Sequence, residues 1–194
     1  MKAKLKAYLD NFHAKSRAHD SEQEERTQRW RNLHPDSAAL LALLVRSKQA
    51  RKVLEVGTSN GYSTLWLADA VRDTGGSLRT LEIDKTRKKA AKQHLREAKL
   101  DDYVRMEVCD AGEFLRAYQK YYDVVFLDAD RSRYADYWPD LQRILTKPGS
   151  LLVVDNALSH AEEVQPLKAL IEADKNFSSM VLNIGAGLLL ASSI

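Results

Sequence analysis

Five short apolar runs, each followed by a helix-length stretch of mixed polarity, constrain this chain more than any other feature. The runs lie near 52–57, 78–83, 104–108, 122–128 and 149–155, and the helical stretches near 61–72, 86–99, 111–120, 138–146 and 160–174. Strands that alternate with helices call for right-handed crossovers and a mostly parallel sheet with helices on both faces. A further helix is expected over 36–48, after His34-Pro35, with Asp36 as its cap. Lys147-Pro148-Gly149 marks a stop before a strand, and Pro139 suits the first turn of a helix. The tail FSSMVLNIGAGLLLASSI departs from the alternation: it reads as two strands around Gly185-Ala186-Gly187, a terminal antiparallel hairpin.

Ahead of this pattern, Leu5, Tyr8, Leu9 and Phe12 have the spacing of an amphipathic helix, expected to continue as a charged helix toward Arg29. No internal repeat or linker-like stretch interrupts the 194 residues. The expectation is one α/β domain over 1–194, with a helical extension at 1–35 and the core at 36–194.

No run approaches 18 uninterrupted apolar residues, so no membrane-crossing helix is expected. The start, MKAKLKAYLDNF, has the lysines of a secretory leader without its apolar centre. A lone cysteine, Cys109, allows no intrachain disulfide and suits a reducing cytoplasm. The net charge is only +3, yet 85–99 (KTRKKAAKQHLREAK) holds seven basic side chains against Glu97. Such a face could touch phosphates, or it could be a solvated helix exterior.

Ligands of parallel α/β sheets sit at the carboxyl ends of the strands, beside the first strand-to-helix turn. Here that turn is VLEVGTSNGYSTLWLA, with Gly57 and Gly61 spaced G-x-x-x-G around Ser59 and Asn60. A dinucleotide site wants G-x-G-x-x-G, and a phosphate cradle wants a following Lys-Ser/Thr pair. NAD and ATP are therefore disfavoured. Glu55, inside the first strand, would repel a pyrophosphate but would suit the cationic amino-acid end of S-adenosylmethionine. Glu82 in LRTLEID is placed to accept ribose hydroxyls, and Asp110 in MEVCDA could sit near an adenine.

Strand four ends VVFLDADRSRY and strand five ends GSLLVVDNALSH, which would bring Asp128, Asp155 and Asn156 together. Two carboxylates and an amide oxygen make a hard ligand set, suited to Mg²⁺ or Ca²⁺. The competing reading is that these residues are ordinary helix caps. The direction of Asp130 is left open by strand alternation. Tyr134, Tyr137 and Trp138 could line a substrate wall or pack in the core.

The ordered set E-x-G-x-x-x-G-Y-S, L-E-I-D, F-L-D-A-D and D-N resembles the cation-dependent O-methyltransferases, from about residue 36 to the C-terminus. That family includes catechol and caffeoyl-CoA O-methyltransferases and small bacterial relatives. The resemblance implies a Rossmann-like class I methyltransferase fold, a seven-stranded sheet of order 3-2-1-4-5-7-6 with the last strand antiparallel. It implies that Glu55, Gly57, Ser59, Gly61, Tyr62 and Ser63 line the methionine half of S-adenosylmethionine. Glu82 and Ile83 would lie at the ribose, Asp110 and Ala111 at the adenine. Asp128, Asp155 and Asn156 fall on the family's metal ligands, for Mg²⁺ or alternatively Ca²⁺ or Mn²⁺.

Two departures stand out. The family commonly has a lysine three residues after the first metal-binding aspartate, often assigned as the general base, and this chain has Arg131. A guanidinium cannot accept a proton near neutral pH; Arg131 would instead stabilise the acceptor's oxyanion, with Asp130 or His160 taking the proton. Only 28 residues lie between Asn156 and Gly185, where many relatives carry an insertion that covers substrate and forms a homodimer. The expected reaction is methyl transfer to a catechol-like small aromatic diol, with a hydroxylated tRNA base as the alternative acceptor. A protein that binds S-adenosylmethionine without catalysis is the alternative of another class.

Overall fold

The computed structural model describes residues 1–25 and 28–194. Among these residues the α-helices and β-strands follow in chain order: α1 (Ala3–Glu22), α2 (Pro35–Ser47), β1 (Lys52–Val56), α3 (Tyr62–Thr74), β2 (Ser77–Glu82), α4 (Lys85–Glu97), β3 (Val104–Val108), α5 (Ala111–Ala117), β4 (Val124–Leu127), α6 (Tyr134–Ile144), β5 (Leu151–Val154), α7 (Ala161–Ala173), β6 (Phe177–Leu182) and β7 (Leu188–Ser193).

The strands form one sheet of order β3-β2-β1-β4-β5-β7-β6. Strands β1 to β5 run parallel, and β7 pairs antiparallel with both β5 and β6. This is the class I methyltransferase arrangement. The order reverses beside β1, so its carboxyl end and that of β4 border an open crevice.

Strand alternation sorts the core into two layers. Val53, Phe126 and Val153 pack under α2 and α3, against Leu41, Val45 and Leu65. Leu54, Val125, Leu127 and Val154 pack on the other face, under α6 and α7, against Trp138, Leu141 and Leu167. Because both faces are covered, β4 and β5 are buried at every position, which is why they read as unbroken apolar runs.

Three local expectations are corrected. Helix α1 stops at Glu22 and does not run on toward Arg29; the Asp20 carboxylate turns the chain back by accepting the amides of Trp30 and Arg31 at 2.7 and 2.8 Å. The cap of α2 is His34, whose ring accepts from the Asp36 amide, and Pro35 takes the first helical position. Helix α6 begins at Tyr134, so Pro139 sits in its interior. A 3-10 turn at Arg131–Arg133, capped by Asp130, feeds directly into α6 and sets this earlier start.

Candidate active site

The carboxyl ends of β1, β2, β4 and β5 surround a cleft of about 970 Å³. That volume holds a nucleoside-sized cofactor together with a second small molecule. Its floor is the turn after β1. Gly57 has φ +102°, and a Cβ there would lie 2.0 Å from the Asp128 carbonyl oxygen. Only glycine lets β1 and β4 close at this point. Ser59 follows with φ +48°. Its amide donates to Glu82 Oε2 at 2.7 Å, while the Asp84 amide donates to Oε1 at 3.0 Å. Glu82 is thus anchored at the end of β2 beside the cleft, and Ile83 stands 72% exposed at the cleft's edge.

The remaining sequence-expected cofactor residues are placed differently. Glu55 does not line the cleft. It shares the sheet face of Val53, under α3, where its carboxylate is 0% exposed and accepts from Ser63, Thr64 and Thr80 at 2.6, 2.6 and 2.7 Å. Burial raises its pKa from 4.5 to about 7 against the pull of these hydroxyls. Ser63 is spent on that bond. Tyr62 is buried beneath α1, its ring 5.9 Å from Phe12. Gly61 faces α4: a Cβ there would meet the Ala91 Cβ at 2.9 Å. Asp110 caps α5, accepting the Glu113 amide at 2.9 Å, and neither it nor Ala111 reaches the cleft.

At the opposite end of the cleft the structure brings Asp128, Asp155 and Asn156 together. Asn156 adopts φ +66°, and its amide NH₂ donates to Asp155 Oδ2 at 2.9 Å and Asp128 Oδ1 at 3.5 Å. Enclosure by protein, and for Asp128 the neighbouring Asp155 and Glu55 charges, push both carboxyls above the usual carboxylate range. Asp155 Oδ1 is buried with no hydrogen-bond partner. Among the described residues no three His, Cys, Asp or Glu side chains form a metal cluster. The set that remains, two carboxylates and an amide, is an oxygen-only one with an unmet buried oxygen, and it fits a hard divalent cation.

Arg131 lines the cleft beside this pair, its Nε donating to Glu163 Oε2 at 2.9 Å. Asp130 uses Oδ1 to accept the Ser132 amide and hydroxyl. His160 also lines the cleft; its Nδ1 lies 2.9 Å from the Ser159 hydroxyl, which donates to Asn156 Oδ1. Tyr134, Tyr137 and Trp138 are core residues, each no more than 5% exposed.

One wall is built from residues that the sequence reading did not single out. His13 and Arg17 of α1, with Trp30, Arg31, Asn32 and His34, close the cleft from the N-terminal side. The wall is tied to the cofactor turn: the Ser59 hydroxyl donates to the Trp30 carbonyl, and Asn32 and Asn60 both donate to Ser16 Oγ. Gly185 and Ala186, the hairpin tip, complete the rim.

The sequence profile of a family described as O-methyltransferase matches residues 15–194. The chain belongs to the O-methyltransferase family. A catechol O-methyltransferase of Niastella koreensis is 30% identical to this methyltransferase over 156 residues, 77% of the chain and 70% of the relative. Among solved structures, the O-methyltransferase TomG of Streptomyces achromogenes, determined with S-adenosylmethionine, superposes with a TM-score of 0.78 at 25% identity, covering 93% of this chain and 88% of that one. An O-methyltransferase of Bacillus cereus, determined with SAH, shares the fold with a TM-score of 0.80 at 24% identity, over 100% and 92% of the two chains.

Proposed function

We propose that this S-adenosylmethionine-dependent O-methyltransferase requires a divalent cation, most simply Mg²⁺, and methylates one hydroxyl of a catechol-like aromatic diol. One observation carries the reading: Asp128, Asp155 and Asn156 converge in the cleft with a carboxylate oxygen of Asp155 buried and unmet. When bound, the sulfonium supplies the electrophilic methyl and the cation a Lewis acid able to draw two vicinal oxygens together.

The chain's own residues supply position and charge. Gly57 lets the floor close against the Asp128 carbonyl, and Glu82, oriented by the Ser59 and Asp84 amides, is the acceptor for ribose hydroxyls. To serve as an oxygen ligand, Asn156 must turn its amide over. Ser159, which here donates to Asn156 Oδ1, can then accept from the NH₂ that takes its place. Arg131, steadied by Glu163, cannot take a proton and stabilises negative charge on the acceptor oxygen. His160 is the proton acceptor we favour, since Asp130 Oδ1 is committed to Ser132.

The catechol activity named for the Niastella koreensis relative supports the acceptor class. A hydroxylated tRNA base is the second reading, favoured by the basic helix α4, whose Arg87 borders the cleft. Transfer from labelled S-adenosylmethionine to catechol and to bulk tRNA, each with Mg²⁺ or with EDTA, tests both. Activity indifferent to EDTA refutes the cation; transfer to tRNA alone, steeply salt-dependent, selects the second reading.

A further inference from the structure

Arginine is unusual on a covered sheet face, and this sheet carries two side by side. Arg79 of β2 is in register with Leu54 of β1 and Arg105 of β3, so both arginines share the face on which Leu54 packs. Helix α5 has seven residues and ends at Ala117. Past its end, the amino ends of β1, β2 and β3 border a second cavity, of about 210 Å³. It stands at the far end of the strands from the cleft: Lys52 lines the cavity and Gly57 the cleft, about 16 Å apart along extended chain.

Lys52, Arg79, Arg105 and Lys120 line this cavity with Tyr118 and Tyr122, and among the described residues no acidic side chain does. Glu107 answers the two arginines alone, 2.9 Å from Arg105 Nε and 3.5 Å from Arg79 Nε. The nearby Asp123 carboxylate is spent on the amides of Arg51 and Lys52. Four cations thus face one carboxylate, and the surplus is felt next door: Lys147 and Lys52 stand 3.4 and 3.9 Å from the Tyr121 ring centre and hold its phenol below the ordinary value. Tyr122 adds an unmet donor. It is buried, and its hydroxyl has no hydrogen-bond partner. Burial and then Tyr118 raise its pKa against the pull of Arg79, so it keeps its proton near neutral pH. The walls are preformed. Phe114, Tyr118 and Tyr122 stack with centroids 5.2 and 4.9 Å apart, and Arg79 lies over the first two. Arg143 of α6 fixes the loop by donating to the Leu115 and Tyr118 carbonyls.

We propose that this cavity is a second binding site, separate from the cleft, for a phosphate dianion, either free or as the head of a small phosphate monoester. The four cations offer donors only, so the ligand must supply acceptors and negative charge. Two guanidiniums held side by side match the oxygens of a phosphate, and the ammoniums of Lys52 and Lys120 add point charges around it. The volume takes a phosphate with a few carbon atoms and falls short of what a nucleotide needs. Nothing here depends on which acceptor the cleft methylates.

The test titrates inorganic phosphate and glycerol 3-phosphate into the protein by calorimetry, at constant ionic strength and with the cleft saturated by S-adenosylmethionine. At least one of the two should bind with a Kd below about 1 mM. A tighter ester identifies a monoester as the ligand; inorganic phosphate bound as tightly or more tightly identifies the free ion. Lys120→Gln and Arg105→Gln, both at exposed positions, should each weaken binding about tenfold, and Lys120→Arg should recover part of the loss. The affinity of these variants for S-adenosylmethionine should stay within about twofold of the wild type, because the cleft is distant. Constants above the 1 mM limit for both anions overturn the proposal, as does binding unchanged in the Lys120→Gln, Arg105→Gln double variant. Binding that S-adenosylmethionine abolishes places the anion in the cleft and overturns it too. Bulk tRNA held through Lys120 and Arg105, with no affinity for either small phosphate, replaces it with a nucleic-acid surface.

Discussion

Glu55→Gln separates a structural acid from a cofactor ligand. The carboxylate has no exposure and accepts three hydroxyl hydrogen bonds. Its pKa rises from 4.5 to about 7 on folding, through burial. At about 1.4 kcal/mol per pH unit of difference, keeping it charged costs the folded state roughly 3 kcal/mol. The sign follows from linkage. The folded value lies above the unfolded one, so the favourable protonated state is fully present below about pH 4.5 and is lost as pH rises through 7. Glutamine cannot ionise and fits the same bonds. Its oxygen accepts from Thr64 and Thr80, and its NH₂ donates to Ser63, whose hydroxyl turns to accept. Urea denaturation of both proteins at pH 5 and pH 8.5 should show the glutamine variant gaining on the wild type by about 2–3 kcal/mol across that window. Its dissociation constant for S-adenosylmethionine should stay within about threefold, since Glu55 lies outside the cleft. Parallel stability profiles would refute the buried-charge reasoning, and a loss of cofactor affinity of tens of fold would return Glu55 to the methionine end.

Gly57→Ala should abolish cofactor binding in calorimetry and destabilise the fold by at least about 2 kcal/mol, because the new methyl meets the Asp128 carbonyl and the backbone holds φ +102°. Mg²⁺ should raise the melting temperature of the wild type, and Asp155→Asn should remove that rise in the absence of any acceptor. Asp20→Ala frees the amides of Trp30 and Arg31; the KM of the acceptor should rise about tenfold while kcat falls less, seen in steady-state kinetics.

Much of the fold was legible because apolar spacing reports it directly. Leu54, Val125 and Val154 lie in short apolar runs that alternate with helix-length stretches, the pattern of buried parallel strands. The positions of Glu82, Asp128 and Asp155 followed from topology alone, since each closes a strand at the same edge of the sheet. Glu55 lies within β1 with its carboxylate buried on hydroxyls of α3 and β2, whereas Gly57, two residues on, is already in the turn at the cleft floor; sequence spacing does not tell where the strand ends. The N-terminal wall was not legible. Nothing periodic marks Trp30 or Arg31, and their places depend on Asp20 and Ser59, partners 10 and 29 residues from Trp30. Tyr134, Tyr137 and Trp138 offered aromatic character without direction, and packing against α7 and β6 decided it. No helix of the described residues is long and apolar enough to cross a membrane.

The hairpin tip has a consequence for biosynthesis. Gly185 sits so close to His34 and Ser37 that a Cβ would lie within 2.6 Å of both, and Ala157, Leu158 and Ser159 hang their amides on the carbonyls of Ala186 and Gly187. The rim of the cleft therefore joins stretches of chain separated by about 150 residues of synthesis. The rim is therefore incomplete until the hairpin has been made, although β1, β2 and β4 all precede it in the chain. The rim of the cleft is thus set late in synthesis, by the docking of the hairpin on the start of α2 and on 157–159.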